Sequence, residues 1–235
     1  MRHVSVMQDV GPLFGRLVLP SLVAVYASKL DRPGVPDQVG SAFLIKHRDR
    51  PLLVTAKHVL WGQNLDEDPG EKALMINGGW VYIGDNGRKL NPSPTLDLVV
   101  TYIEEAAERK CLALETLCDT DRVPKFASFG GYLARDFKRS QAQGVLKPSP
   151  LVFSDVTVGM ASGKIGIKYS KRNNVDNQGN SVINSIPRGL SGGPILDTLE
   201  LLKGTVRIVG VFTDQGDGVA LGEHGLEIRK LLEIL

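Results

Sequence analysis

Cysteine is scarce in this sequence, and that scarcity limits the classes of protein to which the chain can belong. Cys111 and Cys118 are the two cysteines present. Their spacing fits neither a CxxC metal pair nor the framework of a disulfide-rich secreted domain. We therefore expect two buried thiols, no metal, no cofactor and a reducing, cytoplasmic compartment.

Long apolar runs and an excess of one charge are also missing. No apolar run reaches the roughly 18 residues that span a membrane. Arg16 and Pro20 interrupt the apolar stretch 13–27, which favours a lead-in to a strand over a signal peptide. The formal charge of +2, from 28 basic and 26 acidic residues, argues against a nucleic-acid binder. We expect neither a membrane nor a nucleic-acid partner.

Short β-branched runs with period two dominate what is present, and Gly, Pro, Asn and Asp turns separate them. This pattern is typical of an all-β barrel or sandwich. Near the end, Ile228, Leu231, Leu232 and Leu235 share one face at helical spacing, which predicts a short C-terminal helix. We interpret the chain as a lead-in (1–20), a first β unit (21–110), a connection (111–124), a second β unit (125–224) and the helix (225–235).

The stretch IPRGLSGGPI (186–195) places Ser191 within a cluster of glycines. Glycines remove side chains where a substrate backbone would come close, and they permit turns with positive φ. The composition also suits a hairpin turn, and that alternative stays open when the stretch is taken alone. A nucleophilic serine further requires a base to accept its proton and an acid to orient that base.

His58 and Asp97 are the candidate base and acid. His58 lies in TAKHVLW, where the end of an apolar strand meets a helical turn. A half-buried structural histidine is the alternative interpretation. Asp97 stands between two leucines at the start of an apolar strand, where a buried carboxylate is costly without a partner. The alternative interpretation of Asp97 is a turn residue that follows Pro-Ser-Pro.

The order His, Asp, Ser in these contexts resembles the trypsin-like serine peptidases of chymotrypsin fold. GSAFLI (40–45) and LLVTAKHV (52–59) are similar to the family's GxGF and TAxH segments. TLDLVV is similar to its aspartate strand, and GLSGGPIL to its nucleophile loop. The likeness extends in outline over 22–235, but only these short segments are specific.

The resemblance implies two packed six-stranded antiparallel β-barrels, with His58 and Asp97 on the first and Ser191 on the second. It further implies that Ser191 attacks, His58 moves the proton and Asp97 orients the imidazole. The backbone N–H groups of Gly189 and Ser191 would form the oxyanion hole. Thr213 is placed like the family's hydroxyl that supports the aspartate.

Two departures from secreted members of the family point towards the HtrA-like, intracellular ones. Leu190 replaces the aspartate that pairs with a newly cut N-terminus, and Val59 replaces a disulfide cysteine. The site is therefore expected to be preformed or to be triggered by a partner protein.

Substrate preference is predicted from position within the resemblance. Ser185, six residues before the nucleophile, would form the base of the first specificity pocket and favour an uncharged, apolar P1 residue. Thr213, Asp214 and Gln215 would pair with the substrate backbone as an added strand.

These observations predict a serine endopeptidase acting on a protein or peptide in the cytoplasm of a bacterium or phage-infected cell. Two alternatives remain open. The first is a binding module that keeps the protease shape without proteolysis. The second is an esterase that uses the same triad on small acyl substrates.

Overall fold

The computed structural model describes residues 2–29, 32–62, 72–76, 79–83, 90–134, 148–161, 163–183 and 187–235. Two largely antiparallel β-sheets, four α-helices and three short 3-10 helices form the fold in this part of the chain. The strands of the first sheet are β1 (Leu22–Lys29), β2 (Arg32–His47), β3 (Arg50–Thr55), β4 (Lys72–Ile76), β5 (Gly79–Ile83), β6 (Asn91–Pro92), β7 (Val99–Tyr102) and β8 (Leu112–Ala113). Those of the second sheet are β9 (Phe126–Leu133), β10 (Ser149–Ala161), β11 (Lys164–Lys168), β12 (Asn174–Asp176), β13 (Pro194–Asp197), β14 (Ile208–Gly216) and β15 (Val219–His224). The helices are α1 (Arg2–Leu17), α2 (Lys57–Trp61), α3 (Thr198–Leu202) and α4 (Gly225–Ile234).

The two sheets differ in how far they close. The first runs in the order β5-β4-β1-β2-β3-β7-β6, with β8 added in parallel to β2, and forms a curled half-barrel over the described strands. The second runs β11-β15-β14-β13-β9-β10, and a further pairing of β10 with β11 closes it into a barrel. The predicted all-β architecture of two packed β units is confirmed.

Strand β2 lies between two hydrophobic cores because its side chains alternate between its faces. Phe43 and Ile45 belong to a core that also contains residues of the second sheet. Ala42 and Leu44 belong to the core inside the first sheet. Both faces of β2 are therefore buried, and its residues just before Ala42 lie where the two halves meet.

Helix α1 is an element that the sequence interpretation missed, since residues 1–20 were expected to be a simple lead-in. Val10, Phe14 and Val18 follow one another at helical spacing, and all three are fully buried. Phe14 packs directly on the backbone of β9, where a Cβ added at Gly130 would lie 2.5 Å from its ring. Tertiary packing of this apolar face stabilises the helix despite Pro12 in its interior.

The predicted C-terminal helix is confirmed as α4. Ile228, Leu231 and Leu232 are buried in the shared core, and Leu235 packs against it in part. The His224 ring caps the helix by accepting the Leu226 N–H at Nδ1, 3.2 Å away. Over the described residues, no helix combines the length and apolarity needed to cross a membrane.

Candidate active site

Ser191 lies in a turn that requires glycine on both sides. Gly189 has φ +91° and Gly192 has φ +86°, values that L-residues rarely adopt. A Cβ at Gly189 would lie 2.6 Å from the carbonyl oxygen of Tyr132. A Cβ at Gly192 would overlap the carbonyl oxygen of Ser41. The turn thus depends on close approach of the backbone as well as on positive φ.

His58 and Asp97 are joined by two hydrogen bonds. The second residue of α2, His58, has its Nδ1 2.6 Å from Oδ2 of Asp97, and its backbone N–H donates to Oδ1 at 2.9 Å. A carboxylate only accepts, so Nδ1 carries the proton and Nε2 of the neutral ring has a free lone pair. The two side chains are 34% and 21% exposed, which leaves the imidazole accessible at a rim. This is the arrangement of a base oriented by an acid.

The electrostatic environment keeps Asp97 ionised. Burial opposes its charge, but hydrogen bonds from His58 and the charges of His58 and Lys164 outweigh burial and hold the pKa of Asp97 below its ordinary value. A carboxyl group with a lowered pKa in the folded state stabilises that state above its unfolded pKa.

Asp97→Asn is expected to remove a pH-dependent part of the free energy of unfolding. In the wild type this contribution is present above the ordinary Asp value of about 4 and is lost as the pH falls through the lower, folded value. Urea unfolding at pH 7 and pH 3 measures this contribution. The free energy of unfolding of the wild type should exceed that of the variant by more at pH 7 than at pH 3. The exposed Asp119 provides a control for the loss of a surface carboxylate, through Asp119→Asn. An Asp97→Asn difference independent of pH contradicts the assignment.

Ser191 is brought to the same rim by the backbone of β2. A Cβ at Gly40 would meet Val59, the neighbour of His58, and would lie 3.1 Å from the carbonyl oxygen of Ser191. The Ser191 hydroxyl donates to the carbonyl of Thr213 at 3.1 Å. Within the described part of the chain, no hydrogen bond joins Ser191 Oγ to His58. Gly40 thus lies beside both Val59 and the Ser191 carbonyl, and the Ser191 hydroxyl is bonded to Thr213.

The turn also presents two backbone donors. The carbonyl of Arg188 accepts the N–H of Ala134 at 3.0 Å, and in a trans peptide this turns the Gly189 N–H to the opposite side. Among the described residues, neither the Gly189 N–H nor the Ser191 N–H has a protein acceptor. Two unpaired backbone donors on one turn are groups that can stabilise an oxyanion.

Ser41, which the sequence interpretation left without a role, connects the nucleophile turn to the rest of the site. Its N–H donates to the carbonyl of Ser191 at 2.8 Å, and its hydroxyl donates to that of Gly189 at 2.6 Å. The same hydroxyl accepts the N–H of Tyr132 at 2.8 Å. Thr55 donates to the Ser41 carbonyl at 2.7 Å. A single buried serine thus fixes both sides of the turn.

The residues predicted to support Asp97 or to bind substrate differ in what the structure shows of them. Thr213 donates its hydroxyl to the carbonyl of Leu221 at 3.3 Å, so that proton is not directed at Asp97 as the resemblance implied. Asp214 is exposed, and its Oδ1 accepts the N–H of Gln215 at 2.7 Å. Ser185 lies outside the described residues. No group of three or more His, Cys, Asp or Glu side chains suited to a metal occurs in the described ranges.

Solved structures with a similar fold are chymotrypsin-like proteases. The thermostable serine protease AL20 from an extremophilic microorganism is 14% identical, with a TM-score of 0.59 over 91% of this chain and 96% of its own. A Glu endopeptidase is 13% identical, with a TM-score of 0.58 over 92% and 89%. The HtrA-type protease AlgW is 16% identical, with a TM-score of 0.53 over 95% and 67%. No family model and no curated protein matches the sequence. The predicted chymotrypsin-like fold is confirmed on structure alone.

Proposed function

We propose that this chain is a serine endopeptidase that cleaves proteins or peptides through an acyl-enzyme intermediate. The observation that carries the proposal is the pair of hydrogen bonds that joins His58 to Asp97. Ser191 adds a turn with two backbone N–H groups that have no protein acceptor among the described residues. A base, an orienting acid, a nucleophile and charge stabilisation are the parts that acyl transfer requires.

Each group has one part in the reaction. Ser191 Oγ attacks the scissile carbonyl carbon while its proton passes to His58 Nε2, and the carbonyl oxygen becomes an oxyanion held by the N–H groups of Gly189 and Ser191. The C–N bond then breaks as His58 returns the proton to the leaving amine. A water molecule then attacks the acyl-enzyme through the same proton transfers and releases the carboxylic acid product. Asp97 remains ionised throughout and stabilises the imidazolium.

Substrate binding along residues 213–216, which pair with β15 but not with β13, explains how the hydroxyl reaches His58. A peptide added there as a strand offers an N–H to the Thr213 carbonyl. Without substrate, that carbonyl accepts a hydrogen bond from the Ser191 hydroxyl. Competition for that carbonyl releases the hydroxyl towards the imidazole. The same strand must displace the Asp214 carboxylate from the Gln215 N–H. We retain an uncharged P1 residue as the preference at Ser185.

The turn itself is supported without a cut N-terminus. Leu190, which stands where zymogens carry an aspartate, is fully buried and forms no ion pair. Instead, Ala134 and Ser41 hold the peptides on both sides of Gly189. These contacts favour a preformed oxyanion hole over one that is ordered by a partner protein. Cys111 and Cys118 are free thiols, which supports a reducing compartment such as the cytoplasm.

The first experiment uses a small fluorophosphonate, which reacts with activated serines without requiring a known peptide. Intact mass should show one adduct on the wild type and none on Ser191→Ala or His58→Ala. Ser181→Ala removes an exposed serine away from the turn and should react like the wild type. Labelling that survives Ser191→Ala overturns the assignment of the nucleophile.

A non-proteolytic binding module is the second candidate, because the resting Ser191 hydroxyl is bonded to Thr213 and not to His58. Absence of any adduct on the folded wild type would favour it. An adduct combined with hydrolysis of small esters, but not of peptides, would identify an esterase. Hydrolysis of an extended peptide separates the endopeptidase from both.

A further inference from the structure

Glu223, near the end of β15, is a fully buried carboxylate that the proposed reaction does not use. Its side chain is 0% exposed. Oε1 accepts the backbone N–H of Asp97 at 3.4 Å and lies 3.4 Å from Nζ of Lys164. Oε2 is buried and has no hydrogen-bond partner among the described residues. Because burying a partly paired carboxylate is energetically unfavourable, packing alone does not account for an acid at this position.

The contact crosses from one half of the molecule to the other. Asp97 comes just before β7 of the first sheet, whereas Glu223 and Lys164 face each other on neighbouring strands of the second sheet. The hydroxyl expected to support the aspartate from this side, that of Thr213, is bonded to Leu221. Among the described residues, Glu223 and not Thr213 is therefore the side chain of the second sheet that is hydrogen-bonded to Asp97.

Asp97 is held at both ends by these contacts. Its carboxylate accepts from the ring and the backbone of His58, and its N–H points to Glu223. Loss of the Glu223 contact frees the backbone at Asp97 to rotate, and the carboxylate would rotate with it. A displacement of about 1 Å at a catalytic group can lower a rate by about 100-fold.

Charge is the second contribution of this arrangement. The ionisable groups facing Glu223 in the described part of the chain are Lys164 from β11 and Asp97, with His58 beyond Asp97. Its partner on β14, Val211, is apolar. On α2, Lys57 is the charged neighbour of His58, and its ammonium lies 5.6 Å from the Trp61 ring centre. A negative charge behind Asp97 favours the imidazolium, and the Lys164 ammonium opposes it.

We propose that Glu223 is a positioning residue that anchors Asp97 across the two sheets and, paired with Lys164, sets the electrostatic balance at His58. The inference rests on the proposed function, because it assigns Glu223 to the same triad. It predicts that removing either member of the pair changes the titration of His58, and that the two changes have opposite signs.

The test compares Glu223→Gln, Lys164→Met and the control Lys168→Met, which removes an exposed lysine from the same strand. NMR follows the titration of the His58 ring, a readout that does not depend on activity. Glu223→Gln keeps an acceptor oxygen but removes the acidic partner of Lys164, so the His58 midpoint should fall. Lys164→Met should raise it by a similar amount, and Lys168→Met should leave it unchanged.

Kinetics on a cleaved peptide test the positioning part. Glu223→Ala should lower kcat by about 10- to 100-fold with KM changed less than about twofold, and Glu223→Gln should recover most of that loss. Equal falls in thermal stability for Gln and Ala, with unmoved or same-sign His58 midpoints, would show a purely structural role and overturn the inference. Failure of the wild type to react with the fluorophosphonate concerns the proposed function instead, and the NMR titration still decides the role of Glu223.

Discussion

Ser191→Ala is expected to lower kcat/KM for peptide hydrolysis by at least about 10⁴-fold, because no other group in the turn can attack the carbonyl. The residual rate would come from the two backbone N–H groups of the oxyanion hole, since the substitution keeps the peptide backbone. Ser41 bonds the carbonyls on both sides of the turn and does not involve the Ser191 side chain. The fold and thermal stability should therefore be preserved.

Non-additivity is the sharper form of this test. Nucleophile and base act as a unit, so His58→Ala should cost about as much as Ser191→Ala, and the double variant should lose little more. Activity on a fluorogenic peptide gives the three rates, and Ser181→Ala serves as the control. If the fold-reduction in rate of the double variant equals the product of the two single fold-reductions, the residues act independently and not as a triad.

Gly192→Ala is expected to have the largest effect on folding of any single methyl added near the site. The new Cβ would meet both the Ser41 carbonyl and the Thr55 hydroxyl, at a residue whose φ is +86°. Neither group can yield easily, because the Thr55 hydroxyl is itself bonded to the Ser41 carbonyl. We expect a loss of at least about 3 kcal/mol in the free energy of unfolding, measured by urea denaturation.

Gly204 provides a matched control for this steric argument. It also has φ +86°, but a Cβ there would meet no atom within 4 Å. Gly204→Ala should thus show the backbone strain alone, about 1 kcal/mol. If the two alanine variants lose the same stability, positive φ accounts for both effects and the Ser41 contact does not constrain the turn.

The candidate triad could be proposed from sequence because each member carries its own local signal. His58 follows an apolar strand, Asp97 precedes one, and the glycines around Ser191 mark a turn that few other structures need. Helix α4 was equally accessible, because its apolar spacing is regular. These elements are specified by neighbours in the chain, and the fold only brings them together.

Helix α1 and Glu223 could not be recognised in the same way. Gly11, Pro12 and Gly15 lower the intrinsic helix propensity of α1, so its helicity depends on packing against residues distant in sequence. Glu223 has the sequence context of an ordinary polar strand residue. Its burial and its approach to Asp97 follow from the packing of the second sheet against the first, which no local pattern encodes.

The docking of α1 has a consequence for synthesis on the ribosome. Its contacts lie far downstream, with Phe14 against Gly130 and Gly11 against the turn at Asp176. At roughly 5–20 residues per second, the helix waits on the order of ten seconds for that turn to be made. During this interval its apolar face has no native partner, so α1 reaches its final place long after it is translated. The nascent chain is accordingly exposed to aggregation and to chaperones at this helix.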